Sequence, residues 1–205
     1  MISYAINAAA ESGLFDHIIV STDDREIADI AKSFGAEVPF ERPADLADDH
    51  TPTVPVVAHA ISECTSMGWQ IDLACCIYPG VPLIQSEDII KALEQIRSTD
   101  DIAFSFPVAP FPSAIQRALH RDATGITRPF SPEYVNTRTQ DLEAAYFDVG
   151  QFYWGTAQAW TAGLAIHSNS CTITIPEWRV VDIDTPEDWH RAELMYKALR
   201  QTSAK

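Results

Sequence analysis

The chain has 205 residues, of which 46% are hydrophobic and 10% aromatic, as is typical of a globular protein that buries a core. Lys and Arg together number 14 and Asp and Glu number 29, which gives a formal net charge of -15. No cluster of basic residues offsets this charge, so nucleic acid and anionic membrane surfaces are not expected as partners.

The four cysteines show neither a CxxC pair nor the spacing of a metal-ligand array: Cys64, Cys75, Cys76 and Cys171. The sequence shows no secretory leader and no apolar run of membrane-spanning length. We therefore expect a cytoplasmic protein whose thiols are reduced.

Hydrophobic periodicity predicts alternating helices and strands along the first half of the chain. Helical patterns begin at Met1, Asp24 and Val54. Each is followed by a strand-like run, and these runs are HIIV, EVPF and LACCIYP in turn. This alternation predicts an α/β fold with a doubly wound, mostly parallel sheet, in which the very apolar LACCIYP is central. The opening helix should return from an earlier strand, so the first central strand is expected to be missing from this chain.

The second half of the chain contains a stretch without regular periodicity, residues 110–145, which is rich in prolines and arginines. We expect irregular backbone and short hairpins there, serving as an inserted lid or dimerisation segment. The runs AYFDVGQFYWG and TITIPEWRVVDID then indicate strands, and a final helix follows. No clear linker interrupts the sequence, so residues 1–205 are predicted to form a single domain.

Two aspartates just before the final helix form the most informative pattern. Asp182 and Asp184 alternate along an extended stretch, so their carboxylates should point to one face. Thr185 is suited to cap a helix that begins at Pro186. Paired carboxylates in this position suit a hard divalent cation. The alternative is that both aspartates are solvated loop residues.

Several longer motifs carry a family resemblance: STDDREIADIAKSFGAEVPFERPADLADDHTPTVPVVAHAI, CIYPGVPL, NTRTQDLEAAYFDVGQFYWG and WRVVDIDTPEDW. Through them the chain resembles the cytidylyltransferases that activate nine-carbon acidic sugars, and NTRTQDL with DVGQFYWG is most similar to the pseudaminic acid branch. The resemblance implies a nucleotide-diphosphosugar transferase fold, CTP as donor, Mg2+ as cofactor and a homodimer. It also implies transfer of CMP to the anomeric hydroxyl of the sugar, with release of pyrophosphate.

The same resemblance assigns residues to the nucleotide and to the metal. Asp182 and Asp184 correspond to the catalytic, metal-binding acids of the family. Nucleotide binding is assigned to four residues: Ser21, Asp23, Arg42 and Tyr78. The alternatives are that Arg42 is a surface arginine and that Asp23 or Asp24 only caps a helix. Gly80 replaces the hydroxyl-bearing residue expected after Tyr78, which leaves the role of that turn open.

Sugar binding is assigned to six residues: Arg117, Arg138, Gln140, Asp148, Gln151 and Tyr153. A guanidinium group suits the sugar carboxylate because it can contact both oxygens. The other polar side chains suit hydroxyl or N-acyl groups. Phe152 and Trp154 alternate with these residues and are expected to pack in the core.

The chain departs from the family pattern at its start, where members carry a strand and a basic, glycine-containing loop around the triphosphate. We therefore expect this sequence to be truncated, and weakly active or inactive as written. Two alternatives remain open. One is a non-catalytic remnant that dimerises or binds a ligand, and the other is a metal-dependent glycosyltransferase.

Overall fold

The computed structural model describes residues 1–203, with side chains described through Leu199. The helices in this range are α1 (Ile2–Ser12), α2 (Arg25–Ser33), α3 (Thr53–Ser66), α4 (Ser86–Ser98), α5 (Ala157–Thr161) and α6 (Pro186–Ser203). The strands are β1 (Leu73–Ile77), β2 (Phe104–Pro110), β3 (Leu119–Arg121), β4 (Thr127–Pro129), β5 (Tyr146–Asp148), β6 (Phe152–Thr156) and β7 (Ser170–Thr174). None of the helices in residues 1–203 combines the length and apolar character needed to cross a bilayer.

The main sheet has the order β1-β6-β2-β5, and β7 also pairs with β2. The predicted α/β class is confirmed, but the expected predominance of parallel pairing is not observed. Only β2 and β7 pair in parallel, whereas β6 runs antiparallel to both β1 and β2, and β5 runs antiparallel to β2. The reason is that the chain returns to the sheet from the irregular segment through β5 and then β6, without a crossover helix that would bring it back in the parallel direction.

One edge of β1 pairs with β6, and its other edge has no paired strand within the described residues. Beyond that edge a cavity of about 870 Å³ is lined by residues of β1 on one side and by residues 18–22 on the other. The runs HIIV and EVPF form no full strands and are joined only by a parallel bridge between Ile19 and Glu37. Within the described residues β1 pairs with β6 alone, so it is an edge strand and not the central strand that its apolar sequence predicts.

The core has two layers, one on each face of the sheet. On one face α1 and α4 cover Phe152 and Trp154, and on the other α3 and α5 cover Phe104 and Tyr153. Successive side chains of β6 thus enter opposite layers, as the strand period of two requires. The prediction that Phe152 and Trp154 are core residues is confirmed, since both are almost fully buried.

Residues 111–145 lie outside the main sheet. Within them β3 and β4 pair as a separate antiparallel hairpin, and short 3₁₀ turns make up much of the remainder. This backbone agrees with the irregular, hairpin-containing segment that the sequence predicts. Many large apolar side chains of this segment are exposed, in the hairpin and loops as well as in the 3₁₀ turns.

The final helix begins as predicted. The Thr185 hydroxyl accepts a hydrogen bond from the Asp188 amide at 3.2 Å, and the Asp188 carboxylate accepts one from the Thr185 amide at 2.9 Å. These reciprocal bonds satisfy free amides at the helix start. The strand expected to run into this helix is shorter than predicted, because β7 ends at Thr174 and a 3₁₀ turn over Glu177–Arg179 follows Pro176.

Candidate functional site

Arg42 is held against the segment that leads into α2. Its Nε donates to the Ser21 hydroxyl at 3.2 Å, and its Nη2 donates to the Ser21 carbonyl oxygen. The Arg42 amide also donates to the Thr22 carbonyl oxygen at 3.0 Å. The structure therefore brings Arg42 and Ser21 together, as the resemblance implies, and fixes the guanidinium group at one end of the cavity.

Asp23 and Asp24 have different positions. Asp24 caps α2, because its carboxylate accepts a hydrogen bond from the Ile27 amide at 3.0 Å. Asp23 is exposed and lines the same end of the cavity as Arg42. The capping alternative thus applies to Asp24, and the Asp23 carboxylate forms no hydrogen bond within the described residues.

The partly buried thiol of Cys76 lies near the guanidinium group of Arg42. Burial raises the pKa of Cys76 to about 12, while the positive charge of Arg42 opposes this rise. Burial also raises the pKa of Cys75 well above its usual range. Both thiols are neutral at physiological pH, so they act as small apolar groups in β1.

Tyr78 and Tyr153 form the next part of the site. Their rings meet edge to face with centroids 5.7 Å apart. The Tyr78 hydroxyl shares a hydrogen bond with the Thr53 hydroxyl, and the Tyr153 hydroxyl donates to the Asp148 carboxylate at 2.9 Å. Tyr78 is thereby held just beyond the carboxyl end of β1, and Tyr153 lies beside this end because it pairs with Cys76.

Asp148 is already surrounded by donors from the protein. Besides Tyr153, its carboxylate accepts hydrogen bonds from the Gly150 amide at 2.9 Å and is 2.7 Å from Nε2 of His167. Burial, followed by the negative charge of Asp148, raises the pKa of Tyr153 far above its usual value. Tyr153 is therefore a permanent donor, and Asp148 holds neighbouring groups in position.

Asp182 and Asp184 are both exposed, whereas Val181 before them and Ile183 between them are partly buried. Exposure thus alternates along this stretch, although the stretch forms no strand. Neither carboxylate forms a hydrogen bond within the described residues, and neither aspartate lines the cavity beside Arg42.

The donor chemistry of the two aspartates fits Mg2+. This ion is commonly held by one or two carboxylates and completes its octahedron with water and substrate phosphates. Two exposed carboxylates without protein partners meet that requirement. No group of three or more His, Cys, Asp or Glu residues suited to a metal occurs in the part of the chain that the structure describes.

Gln151 connects β6 to the stretch before the aspartates. Its Nε2 donates to the Arg179 carbonyl oxygen at 3.0 Å, and its side chain is almost fully buried. Its Oε1 has no hydrogen-bond partner within the described residues. The Arg179 guanidinium forms an ion pair with Asp88, an acidic residue in the first turn of α4.

The remaining predicted sugar-binding residues lie in the irregular segment and are exposed. Arg117 donates to the Thr139 hydroxyl at 3.4 Å, and Arg138 forms two hydrogen bonds to Asp141 at 2.8 and 3.0 Å. Gln140 lies between Arg138 and Asp141 in the chain and is also exposed. Within the described residues no hydrogen bond or ion pair joins this group to Arg42, Tyr78 or Tyr153.

Sequence reasoning did not find four of the residues that shape this site: Thr53, Asp88, His167 and Arg179. Each forms its contact with a residue 19 or more positions away along the chain. No sequence pattern singled out Asp88, and His167 carried no spacing signal. Only the spatial contacts identify them.

The comparisons with known proteins agree with this architecture. The profile of the family described as "Cytidylyltransferase" matches residues 1–158. Pseudaminic acid cytidylyltransferase of Campylobacter jejuni is 34% identical over 204 residues, which cover 99% of this chain and 88% of the relative. CMP-N,N'-diacetyllegionaminic acid synthase of Legionella pneumophila is 28% identical over 201 residues, which cover 94% of this chain and 83% of that relative.

The fold is also found in a solved structure, that of CMP:2-keto-3-deoxy-manno-octonic acid synthetase complexed with CTP. The TM-score is 0.68 at 14% sequence identity, and the match covers 96% of this chain and 88% of the other. At this identity the likeness establishes the fold alone. The family profile and the relative that is 34% identical show which family this is: the chain belongs to the cytidylyltransferase family.

Proposed function

We propose that this cytidylyltransferase transfers CMP from CTP to a nine-carbon acidic sugar, pseudaminic acid. The anomeric hydroxyl oxygen attacks the α-phosphorus, the bond from that phosphorus to the β-phosphate oxygen breaks, and pyrophosphate and the hydroxyl proton are released. The observation that carries the proposal is the 34% identity to a pseudaminic acid cytidylyltransferase over nearly the whole chain.

Asp182 and Asp184 would hold Mg2+, which when bound neutralises the charge of the triphosphate and orients it for in-line displacement. The exposure of both carboxylates supports this role. A net charge of -15 makes compensation necessary, because a CTP anion is repelled by the protein as a whole.

Arg42 supplies the positive charge at the nucleotide. Its two contacts with Ser21 hold the guanidinium group in one orientation, which reduces the entropy lost on binding CTP. Ser21, Asp23 and Tyr78 are proposed to contact the nucleotide from the adjoining segments. Arg42 and the two tyrosines lie near the carboxyl end of β1, where α/β sheets commonly bind ligands.

For the sugar, we propose that Arg117 and Arg138 bind the carboxylate and that Gln140 lies beside them. Arg138 would exchange its exposed contact with Asp141 for the substrate, at small cost because such surface pairs contribute little. Because the Tyr153 hydroxyl donates its proton to Asp148, its oxygen is proposed as an acceptor, and Oε1 of Gln151 as a second, buried acceptor for a substrate N–H or O–H. Asp148 orients Tyr153.

We also propose a cytoplasmic homodimer that forms through the irregular segment. Support comes from the exposed apolar side chains of this segment and the start of β5, called here the apolar patch: Phe111, Ile115, Leu119, Ile126, Phe130, Tyr134, Val135 and Tyr146. A concentration of large exposed apolar side chains in one segment is typical of a protein interface. Sedimentation should give a dimer for the unaltered protein and a monomer for the double variant Ile126→Lys/Phe130→Glu. Met67→Lys, at an exposed position outside the patch, is the control.

The enzymatic proposal is tested by incubating the protein with CTP, Mg2+ and a sugar, while pyrophosphate and the CMP-sugar are measured. Pseudaminic, legionaminic, N-acetylneuraminic and 2-keto-3-deoxy-manno-octonic acids are compared at equal concentration. We expect the highest kcat/KM with pseudaminic acid and loss of turnover in Asp182→Asn/Asp184→Asn. Preference for another of these acids contradicts the sugar assignment, and full turnover by the double variant contradicts the metal assignment.

A further inference from the structure

A buried ion pair links α4 to the chain just before the two aspartates. Arg179 contacts Asp88 through both ends of its guanidinium group: Nη1 donates to Oδ2, and Nη2 donates to Oδ1 at 3.3 Å. The side chains of Arg179 and Asp88 are 11% and 5% exposed. In every other ion pair of the described residues, at least one side chain is 42% exposed or more.

Stability alone does not explain such a pair. Two ions lose their hydration when they are buried, and apolar side chains of similar size often stabilise a protein as well or better. A two-point contact between a guanidinium and a carboxylate does, however, restrict orientation more than apolar packing does. The location of the pair indicates what it orients.

Arg179 is fixed in two ways, through its side chain and through its backbone. Its guanidinium group is held by α4, and its carbonyl oxygen accepts the hydrogen bond from Gln151, the residue just before β6. Three residues later the chain reaches Asp182. At the other end of this stretch, the bonds between Thr185 and Asp188 fix the start of α6.

We propose that Asp88 and Arg179, with Gln151 as a third anchor, are positioning residues for the acid turn, defined as residues 180–184. They hold its backbone so that Asp182 and Asp184 present both carboxylates to one divalent cation. None of the three touches the cation. This inference rests on the proposed metal site. It adds to that site a buried ion pair between Asp88 and Arg179, which are 91 residues apart in the chain.

The test measures binding of Mn2+, a paramagnetic substitute for Mg2+, to the full chain in the presence of CTP by electron paramagnetic resonance. The key variant is Asp88→Leu/Arg179→Met, which replaces the ion pair with apolar groups and leaves no unpaired buried charge. We expect its circular dichroism and Tm to match the unaltered protein, while the Kd for Mn2+ rises at least about ten-fold, as for other supports of metal ligands.

A milder variant covers the case in which the double variant does not fold. Arg179→Lys keeps the charge but loses the two-point contact, and it should raise the Kd for Mn2+ by a smaller factor. Lys197→Gln removes an exposed ion pair with Glu193 on α6 and should leave the Kd unchanged. This control separates loss of an ion pair in general from loss of this particular support.

The outcomes are distinct. An unchanged Kd in a folded double variant, or in Arg179→Lys if the double variant is unfolded, overturns the positioning role and leaves the proposed metal site intact. If the unaltered protein itself binds no Mn2+ with CTP present, the metal site is wrong and the positioning role falls with it.

Discussion

The Tyr153 hydroxyl donates to the Asp148 carboxylate across 2.9 Å, and this bond joins the end of β5 to the middle of β6. Gly150 lies between them with a positive φ of 62°, a conformation that glycine adopts readily. The Gly150 amide donates to the same carboxylate. Asp148 thus closes a tight connection and orients the tyrosine that packs on Tyr78.

Tyr153→Phe should lower both stability and activity. Asp148 is largely buried and loses one of its donors, which should cost about 1–3 kcal/mol of unfolding free energy. We also expect kcat/KM for the sugar to fall, since Phe offers no hydroxyl to the substrate. Denaturant unfolding and steady-state kinetics measure the two effects. Tyr146→Phe, at an exposed position in β5, is the control, and equal behaviour of both variants would contradict the role of Tyr153.

Arg42→Lys should weaken CTP binding although the charge is kept. Lysine lacks the planar fork with which Arg42 contacts the hydroxyl and the carbonyl oxygen of Ser21, so the charge is no longer held in place. We expect the KM for CTP to rise about ten-fold, the equivalent of one charged hydrogen bond. Arg25→Lys, at an exposed position in the first turn of α2, should leave this KM unchanged. A normal KM for CTP in Arg42→Lys would exclude the proposed contact.

Gly155→Ala should destabilise the core. An added Cβ would lie 2.5 Å from Nε1 of Trp160 and 2.7 Å from the ring of Phe104, both of which are fully buried. Relief of this overlap requires the aromatic rings to shift, at a cost of about 1–3 kcal/mol. The matched control is Gly80→Ala, where an added Cβ meets no atom within 4 Å. Urea unfolding should show a loss for Gly155→Ala alone, and equal stability of the two variants would refute this packing argument.

Stability should fall as the pH rises above about 9. The pKa of Cys76 is raised from 9.0 to about 12 in the folded protein, so between these values the unfolded chain has lost a proton that the folded chain keeps. Each such proton lowers the unfolding free energy by about 1.4 kcal/mol per pH unit. The stabilising contribution is complete below pH 9 and is lost towards pH 12.

Cys76→Ala tests this dependence. Urea unfolding under reducing conditions between pH 8 and pH 10.5 should show a shallower decline for the variant than for the unaltered protein. The difference in slope, and not the absolute stability, is the relevant quantity, because the substitution also removes packing atoms. Parallel declines would show that the buried thiol does not couple to folding.

Patterns within a few residues predicted several features correctly. The start of α6 at Pro186 follows from Thr185 and Asp188, whose mutual bonds form within one turn. Phe152 and Tyr153 are buried on opposite faces of the sheet, as the strand period of two requires. The exposure of Asp182 and Asp184 follows from the same alternation, although the chain there is not a strand.

Contacts between distant residues were beyond such patterns. The direction of β6, the edge position of β1 and the length of β7 depend on which strands meet, and that depends on the whole chain. His167 reaches Asp148 across 19 positions and Arg179 reaches Asp88 across 91. Neither pair has a local signal, because each side chain alone has a simple explanation as a loop or capping residue.

The sequence by itself therefore determined the family, the α/β class, the helix start and the alternating carboxylates, since these depend on motifs and on local backbone preferences. Only the tertiary structure decided that Arg42 is held by Ser21, that Asp148 is surrounded by protein donors, and that a buried ion pair anchors the chain before Asp182. Side chains far apart in sequence meet only when the layers pack, and their burial then determines which charges are paired and which remain available to a substrate.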